Sequence, residues 1–288
     1  MEDPIQRRWL LEPGGLVERL RQLQGAAKGV DFAMRAGMLP SKVSKLRRGQ
    51  QMPTEEDVRA WVAAAGAGAD IEKQLLRMLS EGRANNFARS LKDGQTAHQH
   101  TYNELVEQSD VVRMIERSFV PSVMQTREYA TAVLTASMKL HKTANDFAEA
   151  VETRLERRRF LFDDRYRFEF VLDETVLTRQ VAPPEVMYTQ LDRILEYMDL
   201  PNVRLGVLPV HGTYHDVVRN SFELYGRVGV VETYSNDDTM ELEAWAVHVS
   251  AMRDIWQDAV EDDEARELIR NAMDYHAKGM RRRRGRSR

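Results

Sequence analysis

The chain has 288 residues, 42% of them hydrophobic, with 42 Lys and Arg against 45 Asp and Glu and a formal net charge of −3. That length and composition allow two domains with cores of their own. The absence of Cys excludes disulfides, thiolate catalysis and Cys-based zinc sites, and no stretch approaches the roughly 18 apolar residues of a membrane span. The N-terminal residues lack a basic-then-apolar signal pattern, so a cytoplasmic protein is expected. The small net charge conceals an asymmetry: residues 1–90 carry 15 basic and 11 acidic side chains (+4), residues 91–276 carry 20 and 34 (−14), and residues 277–288 carry seven and none (+7). Only the two ends suit a polyanion.

Residues 1–13 read as a loose arm with Arg7, Arg8 and Trp9. A helix follows Gly14 and Gly15, with Leu16, Leu20 and Leu23 at helical spacing. In the stretch 29–49, Ala33, Gly37 and Val43 have the spacing of two short helices joined by a tight turn, the helix-turn-helix pattern. Phe32, Ala36, Met38, Val43 and Leu46 form an apolar set that would pack, leaving a polar face free for DNA.

Pro40 fits a first helical position and Gly49 a C-terminal cap, so the second helix of the pair is expected to run from about Pro40 to Arg48. A recognition helix reads bases through its N-terminal residues, which makes Ser41, Lys42, Ser44 and Lys45 the expected base readers. Arg35, Arg47, Arg48 and Gln50 are expected to hold phosphates. From Arg19 to Arg48 there are eight Lys and Arg against one acid, Asp31, a local +7.

Thr54 before Glu55, Glu56 and Asp57 reads as an N-cap with acids in the first turn, opening a helix to Ala65 whose Val58, Trp61 and Val62 face inward. After a break at 66–70, a last helix runs towards Ala88 with Ile71, Leu75, Leu76 and Leu79 apolar. The polar, weakly patterned stretch 90–100 reads as a linker.

Helical material opens the second domain, at 102–108 and 111–115, followed by a helix at about 122–137 and another capped by Asn145 and ending in the charged run 154–159. Then the period changes. Residues 168–172 and 203–208 read as strands flanking a helix from Pro183 to Met198, and 221–225 with 229–234 as a hairpin around Gly226. Helices at 240–260 and 262–278 follow. The tail 280–288, with six Arg and no acid, is expected to be disordered and is a candidate second phosphate-binding arm.

Three clusters could carry chemistry. Asp173 and Glu174 at a strand end could serve as paired carboxylates, but no nucleophile accompanies them, and an ion pair with Arg154, Arg157 or Arg179 is expected instead. His211, His215 and Asp216 have a spacing compatible with metal ligation, but in a loop with Gly212 and Tyr214 they need not face one site; His98 and His100 alternate without an acidic or third ligand nearby. No phosphate-cradling loop or dinucleotide fingerprint occurs. Neither an enzymatic activity nor a cofactor or metal is expected.

The chain also resembles a family. Residues 41–46 (SKVSKL), 49–53 (GQQMP), 54–58 (TEEDV) and 59–61 (RAW) are similar to the Xre/Cro-type helix-turn-helix regulators of actinobacteria. Such regulators usually carry a phosphate-binding Gln where this chain has Lys28 and Gly29, and a bracing Glu where it has Arg47. Arg47 is therefore expected to repel Arg19 or Arg21. The resemblance continues through 119–121 (FVP), 125–130 (QTREYA), Arg154 with Arg157, 172–174 (LDE), 201–203 (PNV) and 207–209 (VLP), which look like the C-terminal domain of uncharacterised function found in those regulators. It implies a transcriptional regulator, sometimes described as antitoxin-like and often encoded beside a small partner protein.

The combined expectation is a mainly α protein. A five-helix Xre-type helix-turn-helix domain (1–89) and a linker (90–100) precede an α+β domain with a small sheet (101–279), with an Arg-rich tail (280–288). Its partner would be double-stranded DNA, bound by a homodimer on an inverted repeat in the nucleoid. Its control would come from a small partner protein or ligand on the second domain. The alternatives are an antitoxin-like module that sequesters a small partner, and a small-molecule sensor.

Overall fold

The computed structural model describes residues 8–11, 13–90, 94–141, 146–215, 218–232, 237–240 and 242–286. The chain divides into two compact units, residues 1–89 and 90–288. It is mainly helical, and among the described residues its one sheet lies in the second unit.

The first unit consists of a 3-10 turn, Arg8–Leu11, and five helices: α1 (Leu16–Gln24), α2 (Gly29–Arg35), α3 (Pro40–Arg47), α4 (Glu55–Ala65) and α5 (Ala69–Ser90). Helical spacing of apolar residues explains the packing. Leu16, Val17 and Leu20 meet Phe32, Val43, Leu46, Val58, Trp61, Val62, Leu75 and Leu79 in one buried cluster. Trp61 is the largest of these side chains. Its ring tilts against Phe32 at 4.8 Å between centroids, and its indole N–H donates to the Leu20 carbonyl at 2.9 Å. Full burial of such a side chain stabilises by about 1.5–3 kcal/mol. Leu10 is also fully buried in this cluster, so the expected loose arm is anchored there, whereas Ile71, one of the apolar residues read on α5, is exposed.

The local signals act as expected. Pro40 occupies the start of α3, and Gly49, at φ +66°, ends it by donating to Leu46 O at 3.0 Å. Thr54 and Asp57 form a reciprocal capping box at α4, each side chain accepting the other's backbone N–H at 3.1 Å.

The second unit is built on a six-stranded sheet in the order β3-β2-β1-β4-β5-β6. Parallel β1 (Val111–Glu116), β2 (Arg167–Asp173) and β3 (Val203–Leu208) form one half. Antiparallel β4 (Phe222–Tyr225), β5 (Val228–Glu232) and β6 (Asp237–Thr239) extend it from β1. Before β1 lies α6 (Gln95–Glu107). Between β1 and β2 lie α7 (Arg127–His141) and α8 (Phe147–Glu156), and between β2 and β3 lie α9 (Glu174–Thr178) and α10 (Pro184–Tyr197). Intervening helices are what parallel neighbours require. The chain closes with α11 (Leu242–Trp256), whose Met252 and Ile255 pack on Ile115, Val171, Leu208, Phe222 and Leu224, and with α12 (Asp262–Arg286).

Five expectations are corrected. Residues 111–115 form a strand, not a helix: Val112, Met114, Ile115 and Glu116 are buried because β1 is interior and has a neighbour on each side. The stretch 95–100, expected to be linker, is helical, and its polar Gln95, His98 and Gln99 are buried. Residues 122–124 form a separate 3-10 turn before α7 begins at Arg127. α11 ends at Trp256, short of Val260, which instead bridges Val207. Beyond Met280, expected to be disordered, α12 continues to Arg286; Arg is a good helix former and favourable near a helix C-terminus. Asn145 lies outside the described residues, and Asp146 stands at the N-cap of α8.

Candidate nucleic-acid interface

α2 and α3 are joined by a four-residue turn, 36–39, made possible by Gly37 at φ +63° and closed by Met38 N donating to Ala33 O at 2.9 Å. Phe32, Ala33, Val43 and Leu46 hold the pair on the core. Of the expected base readers, Ser41 and Lys45 are exposed and Ser44 is half-buried. Lys42 is engaged elsewhere. Its ammonium pairs with Asp57 Oδ1 at 2.6 Å, and that carboxylate is the buried one of the α4 capping box. One carboxylate thus holds the start of α4 and the first turn of α3.

The expected phosphate binders Arg35, Arg47, Arg48 and Gln50 are all exposed. Arg35 lies with its guanidinium 5.4 Å from the Phe32 ring centre, within reach of a cation–π attraction. The expected repulsion between Arg47 and Arg21 is replaced by a brace: Arg21 Nε donates to the backbone carbonyl of Arg47 at 2.7 Å. A guanidinium at the C-terminus of α3 satisfies an otherwise open carbonyl and opposes the helix dipole, so the contact needs no carboxylate on Arg47. The face also presents Leu39, 71% exposed at the N-cap of α3, and Val30 and Met34 on α2. The basic count singled out this surface, but the apolar residues beside it carry no comparable sequence signal.

The other sequence candidates are structural. Asp173 caps α9, accepting from Thr175 N at 2.9 Å and from the Thr175 hydroxyl at 2.6 Å, with Arg117 Nε at 3.5 Å. Arg117 therefore takes the place expected for Arg154, Arg157 or Arg179. Glu174 accepts from Val210 N at 2.7 Å. His215 Nδ1 meets Asp258 Oδ1 at 2.5 Å, His211 is exposed, and Asp216 lies outside the described residues. His98 is buried edge-on to Tyr102. Among the described residues no three His, Asp or Glu side chains are grouped to hold a metal.

A buried polar centre in the second unit escaped the sequence reading. Arg157 is wholly buried and donates to Asn103 Oδ1 (2.8 Å), Ser122 Oγ (2.6 Å), Gln99 O (3.0 Å) and Gln99 Oε1 (3.1 Å), with its guanidinium 4.9 Å from the Tyr102 ring centre. Arg154 donates to Gln99 Oε1 and Gln125 Oε1. Burial holds the Arg157 guanidinium down at about 10. Across the sheet, Tyr102 and Tyr225 donate to Glu232 and Glu223, while burial and those two carboxylates push the Glu116 carboxyl well above its usual range. Burial likewise raises the Tyr129 phenol to about 12; its oxygen accepts from Val120 N.

Comparison with known proteins finds one family model, described as a domain of unknown function (DUF5753), matching residues 99–271, more than half of the chain. No curated protein and no solved structure matches.

Proposed function

The chain belongs to the DUF5753 family, a domain of unknown function, and we propose that it is a sequence-specific DNA-binding transcriptional regulator, dimeric on an inverted repeat. The observation that carries this reading is the exposed polar face of α3. Ser41 and Lys45 are exposed there and Ser44 is partly so, flanked by exposed Arg35, Arg47, Arg48 and Gln50. The resemblance of 41–61 to Xre/Cro-type regulators supports the same assignment. Lys45 reads a base edge together with Ser41 and Ser44, while the arginines anchor phosphates. Lys42 acts mainly by fixing the helix through Asp57. Two copies are needed because one short helix spans too few base pairs for useful specificity.

The second unit is the regulatory part of this proposal, receiving a small partner protein or a ligand. An antitoxin-like role, in which it sequesters a small partner, is favoured by one observation: residues 91–276 carry a net −14, which suits a basic protein surface.

Genome-wide footprinting with purified protein at near-physiological salt, with and without residues 280–288, tests the reading. A recurrent palindrome is expected. Lys45→Ala should cost about 1–3 kcal/mol at the operator and less on random DNA, whereas Arg48→Ala should weaken both similarly. Uniform, salt-sensitive binding with no motif would reject the regulator reading and turn attention to a partner of the acidic unit.

A further inference from the structure

The second unit contains a cavity of about 380 Å³ lined by Thr126, Arg127 and Glu128 at the start of α7, Leu155 at the end of α8, Arg158 just after it, and Thr189 and Arg193 on α10. Its walls are pinned from behind. Gln190, fully buried, accepts from Thr126 N at 2.7 Å and donates to Met124 O at 2.9 Å, locking α10 to the start of α7. Arg127 is held by a two-point pair with Glu152, and Arg193 is paired with Glu196 one turn on.

Arg158 lacks such an arrangement. Its Nη2 reaches only the Gln125 carbonyl, at 3.4 Å, and its Nε is buried with no acceptor among the described residues. An N–H group removed from water without an acceptor is costly, though the rest of this half-buried guanidinium keeps its contact with solvent. A second open group lies beside it. Thr189, Arg193 and Tyr197 share one face of α10 at four-residue spacing, and the phenol of Tyr197, 2% exposed, also has no hydrogen-bond partner while lying within electrostatic reach of Arg158 and Arg193.

We propose that this cavity binds the phosphate of a small phosphorylated metabolite. Arg158, together with the N–H groups of Arg127 and Arg193 that Glu152 and Glu196 leave unused, supplies charged donors for phosphate oxygens, and the positive end of the 15-residue α7 adds to the field. Leu155 and Glu128 offer an apolar wall and an acceptor for a hydroxyl or amine on the rest of the molecule. The volume falls within the range of small-molecule sites. Such a ligand would supply the control that the regulator reading calls for, but its binding belongs to the second unit and is measured without DNA, so either reading can fail alone.

The test is calorimetric titration of the full chain with pyrophosphate, inorganic phosphate and citrate at constant ionic strength. Saturable one-to-one binding of pyrophosphate is expected, weakened about tenfold or more by Arg158→Gln and unchanged by Arg253→Gln on the exposed face of α11. Thr189→Trp, which fills the cavity without removing a charge, should also abolish the binding and serves where Arg158→Gln fails to fold. Absence of saturable heat up to about 10 mM, or binding retained in a folded cavity variant, would overturn the proposal. So would citrate binding as tightly as pyrophosphate, which would mark a carboxylate site.

Discussion

The first unit hides hydrocarbon and displays its charge, whereas the second keeps several charges inside. Of the buried polar side chains, Gln24 and Asp57 belong to the first unit, while Gln99, Asn103, Glu116, Gln125, Arg154, Arg157, Glu169, Gln190 and Glu223 belong to the second. In the first, helical apolar stripes are enough to set the packing, and the cations between Arg19 and Arg48 stay at the surface, with Lys42 on Asp57 and Arg21 on the Arg47 carbonyl. In the second, packing depends on guanidinium and amide groups finding partners far along the chain. An apolar core tolerates small rearrangements; a buried polar network stabilises only when its members are matched.

Substitutions can break that comparison, and the largest effect is expected at Arg157. Replacing it by Met strands Asn103, Ser122 and Gln99 without donors, and should cost the second unit about 3–5 kcal/mol. Urea denaturation read by the fluorescence of Trp245 and Trp256 in a background with Trp9 and Trp61 replaced by Phe would show it. A loss under about 1 kcal/mol would mean that the buried network contributes shape but little stability.

A smaller loss is expected at Asp57, the one buried carboxylate among the described residues of the first unit. Asp57→Ala removes half of the capping box and the partner of Lys42, and should cost about 1–2 kcal/mol. Thermal denaturation of residues 1–89 alone, first checked for independent folding by circular dichroism, would measure it. Lys42→Met should reproduce only the ion-pair share of that loss.

Smallest is a pH effect at Glu116. Its folded carboxyl holds a proton more tightly than the unfolded one, whose ordinary value is 4.5, so stability falls as pH rises from there through the raised folded value. Glu116→Gln removes that fall. The variant's gain over wild type in denaturant melts should therefore be larger at about pH 8 than at about pH 5; an equal gain at both would show that Glu116 is not the titrating group.

The contrast also explains what could be read in advance. Pro40, Gly49, Thr54 and Asp57 act within a turn of their own positions, and the stripes of α1 to α4 repeat at helical spacing, so local chemistry announced them. The strands 168–172 and 203–208 were legible for the same reason. Residues 111–116 (VVRMIE) were not: a short apolar run reads as helix or strand until its neighbours are known, and those lie at Phe168 and Tyr225. Nor could Arg154 and Arg157 of the charged run 154–159 be recognised as interior, because Arg157 meets Asn103 and Gln99 across more than fifty residues. At the candidate interface the exposed cations were foreseeable, but the bond from Arg21 to a backbone carbonyl was not, since carbonyls have no residue identity.

Asp57 also has a consequence for the order in which the first unit comes apart. Its Oδ2 accepts from Thr54 N and its Oδ1 meets the Lys42 ammonium, so fraying of the first turn of α4 releases the start of α3 at the same time. Amide protons near the start of α4 and in the adjoining turn of α3 should therefore exchange with deuterium as one cooperative group, at a common opening free energy. The surface offered by α3 would then appear and vanish as a whole, without a half-formed state.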